Sequence, residues 1–299
     1  MIRPSRFGFH EEASETNAFM REPGVDADTV AERAAKEFDA LAGAIRDAGV
    51  DVLIHEDRDG LPDCVFPNNW ISWHEPESGG PVLITYPMLD PMRRRERRGV
   101  ILEEIIRFTG TAPTMIDLSA LEAHGGFLEG TGSLVLDRRR GVALVSRSAR
   151  TTERGIRAFA ERTGYEPVVF DTLDPRGDPV YHTNVIASIG AHAAVVCVDA
   201  IPAEADRARV LGVLGAGGRR VLELSWDQIT RMCGNMMELC AQSGAPVFVM
   251  SSAAHDALRG DQRDALSSVG AIAHAPIPTI ERVGGGSARC MIAELGSDA

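Results

Sequence analysis

Apolar residues at positions 30, 34, 38, 41 and 45 recur at spacings of 4, 4, 3 and 4. That periodicity predicts a helix burying Val30, Ala34, Phe38, Leu41 and Ile45, with Asp28 or Thr29 as its cap and Gly49 as its stop. The run Val50-Asp51-Val52-Leu53-Ile54 follows and predicts a buried strand. Helix followed by strand recurs four more times: 98–107 before 113–116, 152–161 before 168–170, 203–214 before 221–224, and 253–266 before the stretch near Ile272. The chain therefore reads as α/β with no long linker.

Between these pairs lie strand–turn–strand segments that resemble one another. They open at Asn69, Ser133, Asn184 and Asn235, and a fifth opening at Ser287 runs to the end of the sequence without a second strand. The intervals between openings are 64, 51, 51 and 52 residues. Five similar units of hairpin, helix and strand predict a closed ring of approximate fivefold symmetry, spanning residues 1–299 as one domain. The unpartnered fifth strand is expected to pair with the segment near Arg6-Phe7-Gly8-Phe9, leaving no open sheet edge.

Composition narrows the function classes. The chain of 299 residues is 44% apolar and carries a net charge of −12, so it folds around a sizeable core and presents an acidic surface. Such a surface repels phosphate backbones and anionic lipids, arguing against nucleic acid or membranes as partners. The start, Met1-Ile2-Arg3-Pro4-Ser5-Arg6-Phe7, lacks the apolar core of a signal peptide. The five cysteines, Cys64, Cys197, Cys233, Cys240 and Cys290, are odd in number and form no CxxC pair. A disulfide framework and a structural zinc site are not expected, and a reduced cytoplasmic location is. Neither a metal nor a cofactor is expected: His255 and His274 lack ligand spacing, Gly284-Gly285-Gly286-Ser287 lacks the lysine of a phosphate loop, and Gly215-Ala216-Gly217-Gly218 follows a helix instead of a strand. Homo-oligomerisation is left open.

In a ring, equivalent strand openings converge on the axis. The polar residues at these openings are Asn68 and Asn69, Glu129, His182, and Cys290 after its glycines. A thiol, an imidazole and a carboxylate suffice for nucleophilic attack on a carbon bearing poor nitrogen leaving groups. Cys290 attacks, His182 protonates the departing amine and then activates water, and Glu129 orients the imidazole. Residues 284–286 let the chain approach the substrate closely and supply backbone donors.

The stretches Phe66-Pro67-Asn68-Asn69-Trp70, Phe127-Leu128-Glu129-Gly130-Thr131-Gly132-Ser133, His182-Thr183-Asn184, Gly234-Asn235-Met236 and Gly284-Gly285-Gly286-Ser287-Ala288-Arg289-Cys290-Met291 resemble, in order and over nearly the full length, the guanidino-group-modifying superfamily. Within it the chain looks most like the amidinotransferase-like citrulline-utilisation hydrolases. The resemblance implies the pentein fold, a five-bladed α/β propeller, with Cys290 as nucleophile, His182 as general acid/base and Glu129 as their acidic companion. It also implies that Arg93 and Arg150 clamp a substrate α-carboxylate and that Asn17 lies near the pocket.

Deiminases of this superfamily look to carry aspartates at the positions of Asn69 and Asn184. A carboxylate only accepts hydrogen bonds, whereas an amide also donates, and a neutral ureido group presents both kinds of partner. The two amides therefore point to a ureido amino acid, and the expected reaction is hydrolysis of citrulline to ornithine, ammonia and CO₂. Arginine dihydrolase or deiminase chemistry, amidino transfer and a non-catalytic binding ring are the alternatives.

Overall fold

The computed structural model describes residues 1–58, 60–76 and 78–296. Four of its sheets share one plan. In the first, β3 (Ile71–His74) and β4 (Val82–Thr85) form an antiparallel hairpin, and β5 (Thr114–Asp117) pairs parallel with β4. The second is β6 (Leu134–Asp137), β7 (Val142–Ser146) and β8 (Glu166–Phe170). The third is β9 (Ala187–Ile189), β10 (Ala193–Val196) and β11 (Arg220–Glu223). The fourth is β12 (Met237–Cys240), β13 (Pro246–Ser251) and β14 (Ala271–Ala275).

Parallel pairing needs a crossover, and helices supply it. Gly99–Thr109, Glu153–Thr163 and Glu204–Leu214 each join the second strand of a hairpin to the third strand of its sheet. In the fourth unit the expected single helix is two, Ser252–Ala257 and Gly260–Ser267, because Leu258 and Arg259 are extended.

The first helix runs over Ala27–Asp47 and buries the five predicted residues together with Ala42. Its cap is Asp26, not Asp28 or Thr29. Extended at φ −65° and ψ 161°, Asp26 accepts from the Thr29 amide at 2.9 Å. Gly49 ends the segment at φ +85°, where a side chain is strained.

Two expectations fail in the fifth unit. Residues 50–54 form no strand; the ladder begins later, where β2 (His55–Glu56) pairs parallel with β1 (Ile2–Arg3). Only two residues pair because β1 is only two residues long. Residues 6–9 form no strand either, and residues 292–296 enter no ladder. Instead Ala293 and Leu295 pack against the apolar cluster that holds Ile2. Apolar burial closes this unit where hydrogen bonding was expected.

The sheets stay separate from one another among the described residues. What links them is a relay at the openings. These are mostly short helical turns, not strand starts: Pro67–Asn69, Gly130–Ser133, Thr183–Val185 and Ala288–Met291. Thr131 Oγ1 donates to the Asn68 carbonyl at 3.4 Å, Asn184 Nδ2 to the Thr131 carbonyl at 3.2 Å, and Asn235 Nδ2 to the Asn184 carbonyl at 3.1 Å. The Arg289 amide then donates to the Asn235 carbonyl at 3.4 Å. From the second unit to the fifth, each thus satisfies a buried carbonyl of the unit before it.

Candidate active site

The relay delivers its polar residues to one place. A cleft of about 20 Å³ is lined by six of the eight residues expected from the sequence: Asn17, Asn69, Arg93, Arg150, His182 and Cys290. Glu129 and Asn184 stand directly behind it, in contact with His182 and Cys290 respectively. All eight are buried.

The thiol is held by two side-chain amides. Asn235 Nδ2 donates to Cys290 Sγ at 3.2 Å and Asn184 Nδ2 at 3.6 Å, while the Cys290 amide reaches Asn235 Oδ1 at 3.4 Å.

His182 Nε2 lies 3.0 Å from Glu129 Oε2. An ionised carboxylate only accepts, so the neutral ring donates from Nε2 and leaves Nδ1 to take up a proton. Burial lowers His182 to about 4, outweighing the opposing pull of Glu129. Burial alone raises Glu129, but the charge of Arg150, the His182 hydrogen bond and Arg93 outweigh it and bring the carboxyl down to about 2. At neutral pH the pair is carboxylate and neutral imidazole, the form that accepts a proton. The backbone allows this approach because Gly132 has no Cβ; one there would stand 2.6 Å from His182 Nδ1 and 2.5 Å from Asn69 Nδ2.

Both arginines are engaged by the protein on several nitrogens, and Arg150 Nη1 also lies 3.5 Å from Glu129 Oε2. Arg93 Nε and Nη2 grip both oxygens of Glu96 at 2.9 and 3.0 Å, and its Nη1 donates to Asn69 Oδ1 at 2.9 Å. Arg150 Nη2 donates to the Ala13 carbonyl at 2.7 Å and Nε to Thr16 Oγ1 at 2.9 Å, and its guanidinium lies over the Tyr181 ring. Asn17 bridges to the carbonyls of Gly284 and Gly285, both at 3.4 Å.

That last contact corrects the reading of the glycines. Residues 284–286 do not open a strand; they close a π-helical turn, Ile280–Gly284, with Gly285 at φ +64°. The Gly285 amide is spent on the Glu281 carbonyl, and it is the carbonyls that face Asn17 and the Tyr181 hydroxyl. Gly284 and Gly285 supply acceptors, and the Gly285 amide is not free to act as the expected donor.

Four residues of the site were missed. Asn235 was quoted as a repeat mark, and its place in the series was the signal for a role like that of Asn184. Tyr181 directly precedes His182 at an opening but was not singled out, whereas Asp63 and His10 lie off the repeat spacing, so nothing in the sequence pattern distinguished those two. Asp63 lines the cleft and is bound by His10 Nδ1 at 2.7 Å.

Separate units converging on a thiol, an imidazole–carboxylate pair and two buried arginines define a member of the pentein superfamily of guanidino-modifying enzymes. The profile of the family described as N,N dimethylarginine dimethylhydrolase, eukaryotic, matches residues 3–297, and the chain belongs to that family. Its class of chemistry is hydrolysis of guanidino C–N bonds. No curated protein sequence matches the chain.

Among solved structures, the chain resembles apo ArgZ, an arginine dihydrolase from the ornithine-ammonia cycle in cyanobacteria, at 17% identity and TM-score 0.70. That match covers 97% of this chain but 39% of ArgZ. The N-terminal domain of ArgZ bound to substrate aligns at 16% identity and TM-score 0.70, covering 97% of this chain and 95% of that one. A dimethylarginine dimethylaminohydrolase carrying an S-methyl-L-thiocitrulline adduct aligns at 15% identity and TM-score 0.62, covering 97% and 96%.

Among the described residues no helix is long and apolar enough to cross a membrane, and no group of three His, Cys, Asp or Glu is placed to hold a metal ion.

Proposed function

We propose that residues 1–299 form one five-bladed propeller whose axial cleft hydrolyses a ureido amino acid, with citrulline as the substrate. The carrying observation is the meeting, in one buried cleft, of a thiol held by two amides and a neutral imidazole held by a carboxylate. The relay through the openings, with the Ala288–Met291 turn packed against the Pro67–Asn69 turn, supports the propeller.

The chemistry balances without a cofactor. The Cys290 sulfur attacks the ureido carbon, a C–N bond breaks and ammonia leaves, taking a proton through His182. Water then adds to the thiocarbamate, with His182 removing its proton, and releases the thiol and a carbamate that decomposes to ornithine and CO₂. Net, citrulline and one water give ornithine, ammonia and CO₂. Arg93 and Arg150 are the candidates for the substrate carboxylate, Asn69 and Asn184 for the ureido group, and Asn17 for the wall of the cleft.

A volume of about 20 Å³ holds about one water molecule. An amino acid needs more room than this, so residues lining the cleft must shift for one to enter.

Arginine dihydrolysis is the second reading, and Asp63 favours it: a carboxylate lining the cleft is a partner for a cationic guanidinium. Incubating the protein separately with citrulline, arginine and agmatine, then assaying ornithine or putrescine, ammonia and CO₂, separates the two. Ornithine from citrulline alone supports the first reading, and ornithine from both supports the second. Citrulline accumulating from arginine marks a deiminase and overturns the first.

A further inference from the structure

Arg93 lies between a buried carboxylate and a buried amide. Glu96 accepts from its Nε and Nη2 at 2.9 and 3.0 Å, and its Nη1 donates to Asn69 Oδ1 at 2.9 Å. A guanidinium donates and never accepts, so the atom of Asn69 that meets it must be the oxygen. The nitrogen then faces the other way. Asn69 Nδ2 is buried in the lining of the cleft and makes no hydrogen bond among the described residues. A Cβ on Gly132 would stand 2.5 Å from this nitrogen and 2.6 Å from His182 Nδ1. The unpaired donor therefore sits beside the atom that takes up protons in the proposed reaction.

The other asparagines do not offer the same. The chain has five. Asn17, Asn184 and Asn235 spend Nδ2 on backbone carbonyls or on Cys290 Sγ, and Asn68 does not line the cleft. An orphaned buried donor is costly and calls for an acceptor on whatever enters. A guanidinium brings none. A ureido group brings its carbonyl oxygen, on which negative charge grows as Cys290 attacks.

We infer that Glu96 is a positioning residue for ureido recognition: through Arg93 it holds the Asn69 amide with its donors turned into the cleft, toward the ureido oxygen. The inference rests on the function proposed above and deepens it. Without the carboxylate of Glu96, Arg93 loses its fixed direction, the amide is able to rotate, and the donor is no longer held where the ureido oxygen arrives.

The test uses Cys290→Ser protein isotopically labelled at its asparagine side-chain nitrogens, followed by NMR as ligand is added. The Asn69 signal is identified by its loss in Asn69→Asp. L-citrulline is expected to move that signal downfield, as donation to an oxygen does, and L-ornithine, which lacks the acceptor, is not. Adding Glu96→Gln should weaken citrulline binding about tenfold, the scale of one lost hydrogen bond, and abolish the Asn69 response at saturating citrulline. Glu96→Asp keeps a carboxylate for Arg93 and should restore part of both effects; it carries the comparison if Glu96→Gln does not fold, and the parent titration needs neither variant. A merely structural role for Glu96 weakens binding but leaves the saturating Asn69 response unchanged, and that result overturns the inference. Citrulline binding with no Asn69 response, or with the same response as ornithine, overturns the donor and leaves the proposed function standing. No binding of citrulline to the parent protein overturns the proposed function, and the role of Glu96 with it.

Discussion

Two clefts approach each other at Asn184, and they differ in nearly every respect. One, of about 620 Å³, is lined by Asn184 together with β6, β9 and β12 residues and the chain beyond Arg289. The other, of about 20 Å³, holds Cys290, to which the same Asn184 donates. The large cleft carries charge in small separate groups: Arg219 and Arg140 with Asp137, Arg138 and Arg289 with Glu294, His192 with Glu238. The small one carries charge in a connected series, from Glu96 through Arg93 to Asn69, and from Arg150 through Glu129 to His182. Volume is a poor guide to chemistry here. Buried polar groups that share partners across several chain segments, and that still have unused valence, mark the reactive side.

Four measurements break or sharpen that contrast. Replacing Cys290 by Ser should abolish turnover of the active substrate by about 10⁴-fold or more while circular dichroism stays unchanged; retained turnover removes the thiol as nucleophile. Next in size is the acid response of Glu129. Its carboxyl titrates near 4.5 when unfolded and is depressed to about 2 when folded, so its contribution is present above pH 4.5 and lost as pH falls toward 2. Denaturant melts should show Glu129→Gln flattening the stability curve in that window by about 1.4 kcal/mol per pH unit. An unchanged slope means that Glu129 is not held as a buried anion.

Asn235→Ala removes a donor from Cys290 Sγ and a relay bond to the Asn184 carbonyl. It should cost about 1–3 kcal/mol of stability and about tenfold in kcat/KM. Equal kcat/KM in the variant detaches the relay from the chemistry. In the large cleft, His192 is about half exposed, and Glu238 keeps backbone donors from residues 192 and 193 without it. His192→Ala should therefore change kcat/KM by less than about twofold and stability by less than about 0.5 kcal/mol. A larger loss of activity would make the large cleft part of the reaction.

Much of this was legible in the sequence, for different reasons in different places. Helix 27–47 was readable because its apolar stripe is regular, and the four hairpin–helix–strand units because their spacing repeats. The fifth unit was misread. Its closure brings the two ends of the chain together through Ile2, Ala293 and Leu295, a contact between remote segments that no local period encodes. Asn69, Glu129, His182 and Cys290 shared a position in the repeat and so were expected to meet, whereas Arg93, Arg150 and Asn17 were expected only from the family resemblance. Asp63 and His10 hold no such position.

The alternation of apolar and polar residues thus determined the elements, their order and the identity of the groups at each opening, since these follow from short-range periodicity and side-chain chemistry. The tertiary structure decided which nitrogen meets which oxygen, how far burial pushes each proton, and that the glycines before Cys290 present carbonyls. Those outcomes depend on distances between segments 53 to 268 residues apart, and on the loss of water around them.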